Sequence, residues 1–162
     1  MLICEALMKV QAFHDKLGIS PVQPLNPQVH KQCSVLRHVG MVLKEISKSL
    51  EPRVAHETDQ RYVSTHLLLE ETAEFIIALA MCDEDEAFDG ISDILFVLLG
   101  RALQFDLPIA AGFAEVARSN LTKEKQPEDK LKNRVRDKGP NYSPPDLKRI
   151  LKQYREDQKI EL

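Results

Sequence analysis

Apolar residues recur at intervals of three and four along most of this 162-residue chain, the period of an α-helix that turns one face to a core. Leu2, Ile3, Ala6, Leu7, Val10, Phe13 and Leu17 form one such stripe, which Gly18 stops. Cys33, Leu36, Val39, Val42, Leu43, Ile46 and Leu50 form a second, in a helix expected over 29–50 and closed by Pro52. Pro21, Pro24 and Pro27 make an extended connector between the two. A third helix is expected from near Thr58 to Ala80 and a fourth from near Asp85 to Gln104. The acidic turn Cys82-Asp83-Glu84-Asp85 joins them as an antiparallel hairpin. Pro108 suits the first turn of a fifth helix that reaches Glu124. A loop over 126–145 then precedes a final helix from about Asp146 to Asp157. The expected class is all-α: a four-helix-bundle-like core of antiparallel helices, about 58–124, with peripheral N- and C-terminal helices in one domain spanning 1–162.

Charge narrows the partners. The net charge is only −3, but residues 1–121 hold 10 Lys and Arg against 17 Asp and Glu, whereas residues 122–162 hold 12 against 8. An acidic body therefore carries a basic tail. Nucleic acid is not the expected partner, because Glu124, Glu128, Asp129 and Asp137 are interspersed among the tail's cations. Cys4, Cys33 and Cys82 have neither CxxC spacing nor a nearby histidine set, so reduced thiols in the cytoplasm are expected rather than a disulfide framework or a zinc knuckle. No apolar run approaches the roughly 20 residues that span a bilayer. The opening MLICEALMKV has Glu5 where a secretory signal would be basic.

The chemistry is concentrated in two apolar stretches interrupted by acids. In Leu67-Leu68-Leu69-Glu70-Glu71-Thr72-Ala73-Glu74-Phe75-Ile76-Ile77, Glu70 and Glu74 are one turn apart and Glu71 and Glu74 three residues apart, so all three leave one side of the helix. Carboxylates bordering a core repel one another and lose hydration unless a cation or donor compensates. In Ile91-Ser92-Asp93-Ile94-Leu95-Phe96-Val97-Leu98-Leu99, apolar nearly all round and so expected to be buried, Asp93 breaks the pattern, with Asp89 one turn earlier. No Lys or Arg lies within a turn of Asp93. A divalent cation shared between the two helices would compensate all of these acids, and an oxygen-only donor set favours Mg²⁺ or Mn²⁺. The competing reading takes the glutamates as a solvated face and Asp93 as a hydrogen-bonded core acid, in a non-catalytic helical assembly or binding protein.

The pattern Glu70-Glu71-x-x-Glu74, a turn, then Asp89-x-x-x-Asp93 and an apolar helix resembles the all-α NTP pyrophosphohydrolase superfamily. These are the MazG-like enzymes, which include dimeric dUTPases and phosphoribosyl-ATP pyrophosphohydrolases. Phe13-His14-Asp15-Lys16-Leu17-Gly18, Arg118-Ser119-Asn120-Leu121-Thr122-Lys123 and Lys138-Gly139-Pro140-Asn141-Tyr142-Ser143-Pro144-Pro145 are similar to a single-domain branch of it. The resemblance covers roughly residues 10–20 and 61–147 and leaves the helix over 29–50 unmatched. One position departs from it: the family's Glu-x-x-Asp would place an acid three residues before Asp93, where Gly90 stands. Asp89, or alternatively Glu86, becomes the substitute.

The resemblance implies hydrolysis between the α and β phosphates of a nucleoside triphosphate, giving the monophosphate and pyrophosphate. Mg²⁺ held by Glu71, Glu74 and Asp93, with Asp89, would neutralise phosphate oxygens and acidify the attacking water. Glu70 is the candidate for the group that accepts that water's proton. Asn120 and Lys123, and Lys138, Asn141 and Tyr142 from the later loop, are the candidate substrate contacts. His14 reads as a packing-helix residue, and His66, one turn before Glu70, as structural or as a support to the acids. A homodimer is expected, and the apolar surface over 36–50 would suit it.

Overall fold

The computed structural model describes residues 3–19, 24–28, 30–56, 59–125 and 136–160. Pro21, Val29, Thr58, Glu128 and Asp129 lie outside them, as does the stretch 126–135 of the expected loop. In chain order the elements are α1 (Ile3–Leu17), α2 (Ser34–Lys48), α3 (Glu51–His56), α4 (Gln60–Met81), α5 (Glu84–Gln104), α6 (Ile109–Leu121), β1 (Glu124–Lys125), β2 (Arg136–Asp137) and α7 (Leu147–Ile160). The class is all-α, with one two-residue antiparallel ladder besides the helices. The helices group into two compact units, Gln23–Phe105 on the one hand and Met1–Val22 with Asp106–Leu162 on the other.

In the unit Gln23–Phe105, α4 packs along both α2 and α5. Small residues make this possible. A Cβ on Gly40 of α2 would lie 2.5 Å from Ile77 Cγ1 and 3.0 Å from the Ala73 carbonyl, and a Cβ on Gly90 of α5 would lie 3.0 Å from Phe75 Cα. At about 100° per residue, Phe75 is on the opposite side of α4 from Ala73 and Ile77, so the two glycines grip the helix from two sides. Ala73, Ala78, Ala80, Ala87 and Ala102 are buried in the same contacts. Asp83 caps α5, its side chain accepting from the Glu86 amide, and Asp59 caps α4 in the same way. Between the two helices Cys82 takes the left-handed conformation, with φ 58°, to end α4. The expected hairpin is thus present, with a turn of Cys82 and Asp83 only, because Glu84 and Asp85 already belong to the first turn of α5.

Two sequence expectations are corrected here. The helix expected over 29–50 is α2 alone, and Pro52 does not end it: the chain turns at Ser49 and Leu50, and Pro52 sits in the first turn of α3, where its missing N–H costs nothing. Much of the apolar stripe of α2 faces away from α4. Leu36, Val39, Val42 and Ile46 are exposed, while Gly40 and Ser47 are buried. Nor is α5 a buried helix. It meets α4 through its small residues and leaves Phe88, Phe96 and Leu103 more than 70% exposed and Ile91, Leu95, Leu98 and Leu99 42–51% exposed.

In the other unit α1 packs on α6, and α6 on α7. Phe13 and Leu17 are buried, and Gly18, at φ 66°, ends α1 as its sequence implied. Glu115 of α6 accepts from Arg118 through two nitrogens at 2.8 Å and from the Asp146 amide at 3.0 Å. The Arg118 hydrogen bonds hold its carboxyl down at about 2. Helix α6 stops at Leu121, short of Glu124, because the next residues enter the ladder in which Glu124 pairs with Asp137 and Lys125 with Arg136.

Candidate active site

The five acids expected at the site all lie in α4 and α5 of the unit Gln23–Phe105, and their surroundings differ. Glu71 projects toward α5. Its carboxyl is pushed up from the usual range by burial first, then by the charges of Asp93, Glu74, Glu70 and Asp89 in that order. The hairpin therefore brings both helices' acids within electrostatic reach of one side chain. The cause is the register set at Gly90 and Phe75: in antiparallel helices, stepping one turn back from Phe75 and one turn on from Gly90 brings Glu71 beside Asp93 and Ile94.

Glu70 and Glu74 fan out toward α2 instead. Lys44 of α2 donates to Glu74 Oε1 at 3.0 Å, and both the bond and the charge of Glu74 raise the Lys44 pKa. Glu70 Oε2 lies 3.7 Å from Nε2 of His66, one turn earlier on α4. His66 is anchored from its other side by Ser47, only 2% exposed. The Ser47 hydroxyl donates to the His66 carbonyl at 3.0 Å, which leaves its oxygen to accept from His66 Nδ1 at 2.8 Å. The Ser47 carbonyl, 3.1 Å from the same nitrogen, can only accept. Nδ1 thus carries the hydrogen, and Nε2 faces the carboxylate. These bonds tie His66 to α2, and its ring lies beside Glu70.

The departure at the second acid position now has a physical reason. Gly90 is buried with the Phe75 backbone against it, so no glutamate side chain fits there. Of the two substitutes, Asp89 is exposed and adds to the field at Glu71, whereas Glu86 lines a cleft of about 290 Å³ with Lys44, Glu74, Ile77 and Asp83.

The donors present fit a hard divalent cation by their chemistry. All are carboxylate oxygens, and their mutual repulsion at Glu71 is what such a cation relieves. In the arrangement seen, no three His, Cys, Asp or Glu side chains among the described residues are gathered closely enough to hold one. Glu74 turns to Lys44, and Glu70 lies against His66.

The expected substrate contacts all lie in the unit that contains α6 and the ladder. Lys123 does not share a helix with Asn120, as the spacing had implied. It lies just past α6, its amide bonded to the Asn120 carbonyl and its ammonium 2.7 Å from Asn120 Oδ1. One residue beyond the paired strands, Lys123 and Lys138 follow on neighbouring strands. Lys138 lies 4.9 Å from the centre of the Tyr142 ring, in a turn closed by the Tyr142 amide and the Gly139 carbonyl. Asn141 donates to Glu124 at 3.4 Å, and Arg118 holds the Ser143 hydroxyl and the Pro144 carbonyl, each at 3.1 Å. Two sequence stretches some 15 residues apart are thus joined by a ladder too short to leave a periodic signal.

The residue that sequence reasoning missed is Lys44. It lies in a helix that had seemed to serve packing alone, and only the close approach at Gly40 brings it to the acids.

The family model for phosphoribosyl-ATP pyrophosphohydrolase matches residues 41–120, which takes in the second half of α2 and all of α4 and α5. No curated protein and no solved structure matches the chain. The span matched carries the acids of α4 and α5 and extends to Asn120, so the previously unmatched α2 lies partly within the family's own pattern. Through residues 41–120 the chain is related to the MazG-like all-α NTP pyrophosphohydrolase superfamily, hydrolases of nucleotide pyrophosphate bonds.

Proposed function

We propose that the protein is an Mg²⁺-dependent nucleoside triphosphate pyrophosphohydrolase that cleaves between the α and β phosphates. The observation that carries this reading is the convergence of four carboxylates on the half-buried Glu71, within the span the family model matches. A bound divalent cation, Mg²⁺ or Mn²⁺, would supply charge for the phosphate oxygens and acidity for the attacking water. Glu71, Glu74 and Asp93, with Asp89, are the residues that would hold it. Glu70, beside His66 on the same face of α4, is the group that takes the water's proton. Asn120, Lys123, Lys138, Asn141 and Tyr142 supply amide, ammonium and ring contacts to nucleotide and phosphate. No protein nucleophile is required.

The reaction is tested by following pyrophosphate release with and without Mg²⁺ from a panel of ordinary and modified nucleoside triphosphates, identifying the monophosphate as co-product. Metal-dependent formation of both products is expected. Failure to turn over any nucleotide would return the acids to the structural role of an assembly protein.

The exposed apolar faces of α2 and α5 support self-association, since large apolar side chains in this number are normally covered by another surface. No single helix among the described residues is long and apolar enough to cross a membrane, and the three cysteines are free thiols. A cytoplasmic homo-oligomer is the form in which we expect the enzyme to work.

A further inference from the structure

We infer that Lys44 is the resident cation of this site: its ammonium neutralises Glu74 in the metal-free protein and competes with a metal ion for that carboxylate. The inference rests on the metal-dependent reading above and adds to it a residue outside the acid motifs. Two facts of geometry support it. The contact at Gly40 draws α2 so close to α4 that a methyl group there would collide with Ile77, and one turn further on Lys44 reaches Glu74 at 3.0 Å. The same pair lines the cleft into which Asp83 and Glu86 also face, so the ammonium stands among acids from both helices.

The pairing also accounts for the arrangement of the donors. Lys44 takes Glu74 Oε1, and its positive charge opposes a second cation on the same carboxylate. Lys44 and Glu74 are each about half exposed, so their attraction is screened and the exchange is inexpensive. A stronger, buried pair would block the site. An exposed one holds the acids together without a metal and yields to it.

The experiment is calorimetric titration of Mn²⁺ into nucleotide-free protein, comparing wild type with Lys44→Met, Lys44→Arg and Lys48→Met. Lys48 lies one turn further along α2 and pairs with Glu45, so its loss changes the net charge equally without touching Glu74. Lys44→Met is expected to bind Mn²⁺ about two- to fivefold more tightly, the range an exposed ion pair supports. Lys44→Arg and Lys48→Met should stay close to wild type. Helical content by circular dichroism shows whether each variant remains folded. Unchanged or weaker binding in Lys44→Met would overturn the inference, as would an equal gain in Lys48→Met, which would mark a net-charge effect. If wild type turns over nucleotide with metal while Lys44→Met shows no gain, only the role of Lys44 fails. If wild type binds no Mn²⁺, both that role and the metal-dependent reading fail.

Discussion

Gly90 faces the backbone of Phe75 so closely that a Cβ on it would stand 3.0 Å from Phe75 Cα and 3.1 Å from both its nitrogen and its Cβ. This contact sets the spacing and register of α4 against α5, and through them the approach of Asp93 to Glu71. It also removes the acid that the family pattern places at this position. Packing and chemistry compete for one residue, and packing holds it.

Gly90→Ala should therefore destabilise the protein although it improves helix propensity. The propensity gain is about 1 kcal/mol, and overpacking costs about 1–3 kcal/mol. Overpacking prevails here because the neighbour is backbone, and α4 cannot move away while Gly40 meets its other side. Urea denaturation is expected to show a lower midpoint, and Gly90→Glu a much lower one, without any gain in turnover. A midpoint equal to or above wild type in Gly90→Ala would show that the helices can separate freely.

Glu71 links stability to pH. Its carboxyl is raised in the folded protein by burial and by its acidic neighbours, so the metal-free fold binds that proton more tightly than the unfolded chain does. The stability tied to this group is fully present below the ordinary glutamate value and is lost as pH rises through the raised folded value. Glu71→Gln should accordingly melt higher than wild type at pH 7 without metal, and the difference should shrink toward pH 4. The same substitution should reduce turnover at least a hundredfold, with Asp93→Asn behaving alike. Full activity in Glu71→Gln would remove it from the site.

The exposed apolar face of α5 bears on assembly. Phe96 and Leu103 are 78% and 82% exposed, on a helix whose small residues face inward. The double variant Phe96→Glu, Leu103→Glu places two charges in any surface that covers this face. Sedimentation velocity is expected to show the wild type as an oligomer and the variant at lower mass with unchanged helicity. A monomeric wild type would leave the face uncovered by its own kind.

Much of the fold was legible in the sequence because helical periodicity is a local property. The helices α4 and α5 and the stop at Gly18 each depend on residues within a turn or two of one another. The acids of α4 and α5 stood out for the same reason, as charges interrupting apolar runs. Period does not show which face of a helix is covered when apolar residues lie nearly all round it, so α5 was expected to be buried. Nor does it predict that α2 turns Gly40 and Ser47, rather than its valines and Leu36, toward α4. The ladder of Glu124–Lys125 with Arg136–Asp137 is two residues long on each side, too short for alternation to register.

The sequence by itself determined the helices, the hairpin and the identity of the acids, because hydrophobic spacing and capping act between near neighbours along the chain. Only the tertiary structure decided what each acid meets: Glu71 the field of Asp93, Glu74 the ammonium of Lys44, Glu70 the imidazole held by Ser47. Those pairings depend on how closely two helix axes approach. That distance is fixed at Gly40 and Gly90, where the absence of a side chain matters only once another helix lies against it.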